Sequence, residues 1–150
     1  MTLRNLLATR QLHEHEADPL QVKCMLGSAL TALEDAGMEG VSAVTRFDAA
    51  YRAIMKCSMV ALWASGFRPA TSVAGHHALM IQTLTKSIGL PPEKVNALDA
   101  FRTKRNALDY QGKDVDEASV EACIEAASLL FRVLLDWLNE NRPELIGPEE

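Results

Sequence analysis

The run from Asp116 to Asn141 constrains the fold more than any other stretch of the chain. Val120, Ile124, Ala127, Phe131, Leu134 and Leu138 recur at steps of three and four, so on a 3.6-residue period they share one side of a long helix. Asp114 or Asp116 supplies its N-cap, Trp137 extends the apolar side near the end, and Pro143 stops it. A helix of that length with one apolar side must bury it against something. The rest of the chain offers partners written in the same period.

Asp18 and Pro19 give an N-cap and a proline at the first helical position. Behind them Val22, Leu26, Ala29, Leu33 and Ala36 make one stripe, widened by Met25 and Leu30, until Gly37 and Gly40 break the pattern. A second run begins near Ser42 or Thr45, where Thr45 and Asp48 have the hydroxyl and carboxylate of a capping box, and reaches about Ser65. Phe47, Tyr51, Ile54, Ser58 and Ala61 form one of its faces and Met55, Met59 and Leu62 another, so this helix is expected to be the most buried. A third run carries His77, Ile81, Leu84 and Ile88 on one stripe and ends at Gly89, which places His77 inward and His76 to the side. Between the second and third runs, Ala70 to Gly75 is small, polar and flexible. A fourth run opens at Pro91-Pro92-Glu93 and closes at Gly112.

Ahead of these runs, Thr2 to about His13 carries Leu3, Leu6, Leu7 and Leu12 and reads as a short amphipathic helix laid on the main body. The expected fold is therefore all-α: an antiparallel up-and-down bundle of four to five helices with a short N-terminal helix. Helix should account for about 65 to 80% of the chain, against a globular average of about a third. One domain is expected over residues 1–150, with the N-terminal helix and a linker in 1–17, the bundle in 18–141 and a tail in 142–150.

Composition excludes several classes of function. A formal charge of −5 argues against a broad electrostatic grip on DNA or RNA, so any nucleic-acid contact must be local. Cys24, Cys57 and Cys123 are odd in number and far apart among apolar residues, which reads as reduced thiols in helix faces and not as a disulfide framework or zinc site. No apolar run approaches the ~18 residues of a membrane span, and the expected compartment is the cytoplasm. His13-Glu14-His15-Glu16 offers four metal ligands in a row, but alternate residues on a helix point about 200° apart and no second cluster completes the set. A solvated linker is the better reading there, and neither metal nor cofactor is expected.

The chemistry-bearing stretch is Phe101 to Tyr110. The inward seam of the fourth helix reads Val95, Leu98, Phe101 with Arg102, then Arg105, then Leu108 with Asp109, which puts an arginine in an apolar seam. Burying a guanidinium without a partner costs several kcal/mol, so a carboxylate or an anionic ligand must meet it. Asp109 at i+4 is the nearest partner in sequence, and Asp48 and Tyr51 are the best candidates on another helix. Alternatively Arg105 and its neighbours line a polar cleft for something anionic. There is no Gly-rich phosphate loop, no nucleophile elbow and no zinc-protease motif, so any site must be assembled from Asp48, Tyr51, His76, His77, Arg102, Arg105, Asn106, Asp109 and Tyr110.

Arg105-Asn106-Ala107-Leu108-Asp109-Tyr110, after a helix of the Arg46-Phe47-Asp48-Ala49-Ala50-Tyr51-Arg52-Ala53 type and the Gly75-His76-His77 segment, resembles the HEPN superfamily of small helical-bundle domains. The order of these pieces spans about Asp18 to Leu138, and the chain is also similar to uncharacterised bacterial proteins of this length. The resemblance implies a homodimeric bundle. In ribonuclease members of the family, an Arg, a polar neighbour and a His meet across the dimer cleft, and many members are toxins paired with an antitoxin or nucleotidyltransferase partner. Carried onto this chain, the arginine is Arg105 and the polar neighbour Asn106, while Tyr110 stands where a catalytic member has His. A phenol with a pKa near ~10 is a poor general base at pH 7, so a dimer that binds a nucleotide, RNA or a protein partner without strong catalysis is expected first. A ribonuclease using His76 or His77 and a structural interaction module are the alternatives. Apolar faces wider than one seam, notably Met55, Met59, Leu62 and Trp63, add to the expectation of a homodimer.

Overall fold

The helix from Ala43 to Ala64, α3, is the one on which the others are built. Its faces are apolar around most of the circumference, and 14 of its 22 residues are buried. In the computed structural model, which describes residues 2–72, 75–112 and 114–147, helix makes up 73% of the described chain. α1 (Leu3–Ala8) and α2 (Pro19–Ala36) precede α3; α4 (His76–Gln82), α5 (Leu84–Ser87), α6 (Pro92–Gln111) and α7 (Glu117–Asn141) follow it. α2 returns on α3 through a short turn and α7 packs against both, while α4, α5 and α6 cover the remaining side of α3. Phe47, Ile54 and Leu62 of α3 meet Val22 of α2 and Leu134 and Leu138 of α7 in a core closed to solvent.

The caps show why the elements start where they do. The Asp18 carboxylate accepts the Leu20 amide at 3.1 Å, with Pro19 in the first turn. Ser42, not Thr45, caps α3: its hydroxyl accepts the Thr45 amide at 3.3 Å. Thr45 and Asp48 therefore lie inside the helix, and the Asp48 carboxylate turns toward another element. On α2 the stripe is carried by Val22, Leu26, Ala29 and Ala36 with Ala32 beside them, whereas Leu30 faces outward.

Three sequence expectations are corrected. Residues 13–16 are solvated in large part, His13, Glu14 and Glu16 being exposed, but they are not a plain linker. The N-terminal helix ends at Ala8 and not near His13, and β1 (Leu12–Glu14) pairs antiparallel with β2 (Phe67–Pro69), Leu12 opposite Pro69 and Glu14 opposite Phe67. Leu12 is closed to solvent, and the His15 ring stacks on Trp63 with centroids 5.5 Å apart. Among the described residues no group of three or more His, Cys, Asp or Glu is placed to hold a metal. Nor is 142–147 a tail, because Leu145, in the 3-10 turn Pro143–Leu145, is buried in the core and Arg142 Nη1 donates to the Ala64 carbonyl at 2.5 Å. Residues 148–150 lie outside the described residues.

The third correction concerns the His-bearing run. It breaks at Thr83, whose hydroxyl donates to the Met80 carbonyl at 2.9 Å and so takes the acceptor that the Leu84 amide would use in a continuous helix. Ile81, Leu84 and Ile88 are buried as the stripe requires, but His77 is exposed and His76 half-buried. The first turn of α4 and the Arg102 and Asn106 side of α6 line one groove, and His77 belongs to that lining and not to the core. Of the connection from Ala70 to Gly75, residues 73 and 74 lie outside the described residues. Among the described residues, no helix is long and apolar enough to cross a membrane.

Candidate functional site

Phe47 of α3 and Phe101 of α6 meet edge to face, with ring centroids 6.1 Å apart. The same packing brings Asp48, the residue after Phe47, and Tyr51, one turn after it, to Arg105, one turn after Phe101. Arg105 Nε donates to Asp48 Oδ1 at 2.8 Å, its guanidinium carbon lies 5.3 Å from the Tyr51 ring centre, and its Nη1 is 3.5 Å from Asp109 Oδ2. Arg52 Nη1 stands 4.0 Å from the other Asp48 oxygen. The Arg105 and Asp48 side chains are 32% and 35% exposed, so the pair is half in water and not sealed in the core. The hydrogen bond to Asp48 raises the pKa of Arg105 and keeps it charged. Burial raises the pKa of the Tyr51 phenol, against the pull of Arg105 and Arg102.

Beside this pair a groove of about 260 Å³ opens between α4 and α6, lined by Gly75, His76, His77, Ala78, Arg102 and Asn106. Arg102 and Asn106 are one turn apart on α6 and so share its face. Arg102 is gripped through two atoms by Asp99, Nε to Oδ1 at 2.7 Å and Nη2 to Oδ2 at 3.3 Å. Three of its five N–H groups remain for another partner. The His76 and His77 rings stand edge to face with centroids 4.6 Å apart. Partial burial lowers the pKa of His77, and the neighbouring His76 ring and the Arg105 and Arg102 guanidiniums push it the same way. Among the described residues, no carboxylate belongs to the lining.

The sequence-derived candidates thus fall into two adjoining groups. Asp48, Tyr51, Arg105 and Asp109 form an internally paired cluster; His76, His77, Arg102 and Asn106 line the groove. Tyr110 joins neither: five residues after Arg105 it lies about 140° round the helix, and it is 90% exposed. Sequence reasoning missed Asp99, although an acid three residues before Arg102 is a standard helical ion-pair spacing. Cys57 and Cys123 are buried, their thiols pushed up to about 12, while Cys24 is exposed; all three are free thiols away from the groove. No protein-family model, curated protein or solved structure matches the chain.

Proposed function

We propose that the protein is a binding domain without strong catalysis, whose α4–α6 groove takes a phosphate-bearing ligand, a nucleotide or an RNA end. The observation that carries this reading is the groove's lining: two imidazoles, a guanidinium with donors to spare and a side-chain amide, with no acid among them. Such donors suit phosphoryl oxygens. Arg105, the centre of the HEPN resemblance, is not among the lining residues, and Asp48 already takes its Nε–H. The resemblance itself rests on the motif residues, and an antitoxin or nucleotidyltransferase partner would come only with it.

The test uses inorganic phosphate, ATP and a short single-stranded RNA, each read by thermal shift and by the His77 resonances. The His77 pKa lies below the ordinary value in the folded chain, so the stability tied to it is intact above the unfolded value near ~6.5 and is lost as pH falls through the folded one. A bound phosphate favours the imidazolium and raises that pKa; affinity therefore increases as pH falls from 7.5 to about 6. Arg102→Ala and Asn106→Ala are expected to weaken binding about tenfold or more each. No response to any of the three ligands sinks the proposal.

The contact between His76 and His77 beside Asn106 favours a second reading, RNA cleavage with the imidazoles moving protons. Cleavage lost in both His76→Ala and His77→Ala would promote it over binding alone.

A further inference from the structure

The α3 face that suggested a dimer from sequence is used up inside the chain: Leu62 is closed to solvent, Met55 and Trp63 are buried, and Met59 is half-buried. The α4–α6 groove, by contrast, keeps hydrogen-bond donors unspent. Asp99 takes the Nε–H and one Nη2–H of Arg102, at 2.7 and 3.3 Å, and is not itself among the lining residues. The guanidinium is thereby held in one orientation, with the two parallel N–H groups of its Nη1–Nη2 edge left over. That edge matches two oxygens of a single phosphoryl group. Asp99 also offsets much of the Arg102 charge, so the guanidinium selects by the direction of its donors more than by attraction at a distance.

Asn106, exposed one turn on, spends no side-chain donor on another residue among the described ones, and His77 lines the groove from the α4 side. Donors thus stand on both walls, and a ligand that satisfies them carries acceptor oxygens on both sides at once. Two features keep the rest of that ligand outside. The groove's volume, about 260 Å³, falls below the ~300–1,000 Å³ of sites that enclose a whole small molecule. Among the described residues no Phe, Tyr or Trp belongs to the lining, so a base finds no flat face to stack on. The His76 and His77 rings spend a face and an edge on each other.

We propose, building on the phosphate reading above, that the groove takes a terminal phosphomonoester by its phosphoryl group and leaves the sugar and base in solvent. A terminal phosphoryl group presents three oxygens, carries about −1.5 to −2 charges at pH 7 and enters end-on. An internal phosphodiester presents two free oxygens, carries a single charge and must lead a strand out on both sides. The Arg102 edge can take two oxygens of a monoester while Asn106 and His77 meet the third. The same three side chains cannot all be satisfied by a diester. The site therefore reads the end of a molecule and not its sequence, and mononucleotides, sugar phosphates and phosphorylated RNA ends share the chemistry it recognises.

Calorimetric titration of the full chain with matched ligands tests it. AMP is expected to bind about tenfold or more tightly than 3′,5′-cyclic AMP, which keeps the base and sugar but is a diester. CMP and ribose 5-phosphate are expected within about threefold of AMP, and a short RNA with a 5′-phosphate to bind about tenfold or more tightly than the same RNA with a 5′-hydroxyl. Asn106→Ala, an exposed change, is expected to weaken AMP, CMP and ribose 5-phosphate by one common factor. The ratio of phosphorylated RNA to AMP names the source: within about threefold the small monoester is the ligand, and above about tenfold the RNA end is. Cyclic AMP equal to AMP overturns the proposal and leaves the phosphate reading standing. So does a preference above about tenfold among AMP, CMP and ribose 5-phosphate, RNA binding indifferent to the 5′-phosphate, or AMP binding untouched by Asn106→Ala. Inorganic phosphate and AMP both failing to bind removes the phosphate reading itself, and the proposal with it.

Discussion

Arg105 keeps its guanidinium half over an aromatic ring and half in water, and that position sets what it is worth. A fully buried pair loses 3–5 kcal/mol when one partner is removed, but solvent screens this one. Arg105→Ala is therefore expected to lower stability by about 1–2 kcal/mol in urea denaturation, with Asp48→Asn comparable and a coupling of about 0.5–1 kcal/mol in the double-mutant cycle. Arg105→Lys should recover only part, because an ammonium has no Nε–H and no plane to lay on Tyr51. A loss above about 3 kcal/mol would count against a solvent-screened pair, and the absence of coupling would count against the Asp48 pairing. The seam position of Arg105 was legible from the period of α6 alone. Its partner was legible only in part, since Asp109 is nearest in sequence but Asp48, on another helix, comes closer in space. Tyr110 shows the opposite failure: a motif aligned it with a site that helix geometry turns it away from.

At the scale of elements, helices declared themselves because each repeats its apolar step several times. A three-residue strand repeats it once. Leu12–Glu14 gave no alternation to read, and its pairing with Phe67–Pro69 depends on contacts more than 50 residues away. The break at Thr83 was hidden for a related reason, because a threonine inside an apolar stripe is compatible with an unbroken helix until its hydroxyl finds the Met80 carbonyl. The N-terminal segment has a measurable role. Deleting residues 1–17 removes the buried Leu6 and Leu12 and uncovers Trp63. With Trp137→Phe to isolate the signal, the truncated chain is expected to show red-shifted tryptophan emission and a stability lower by at least ~2 kcal/mol. Unshifted emission would mean that His15 and the residues before it do not cover Trp63.

For the whole molecule, α3 touches α2, α4, α5, α6, α7 and β2, so no large part of the bundle has a core of its own. Unfolding is expected to be a single cooperative transition, with the loss of helical ellipticity and the change in tryptophan emission sharing one midpoint in denaturant. Separate midpoints would mean that the α4–α6 side melts independently. The same centrality has a consequence during synthesis. Ala64 leaves the ribosome well before Asn141, and the face of α3 that α7 covers has no partner in the interval. At ~5–20 residues per second the gap lasts roughly 4 to 15 seconds. For those seconds the nascent chain presents the most apolar surface it will ever show, to whatever holdase or neighbouring nascent chain is near.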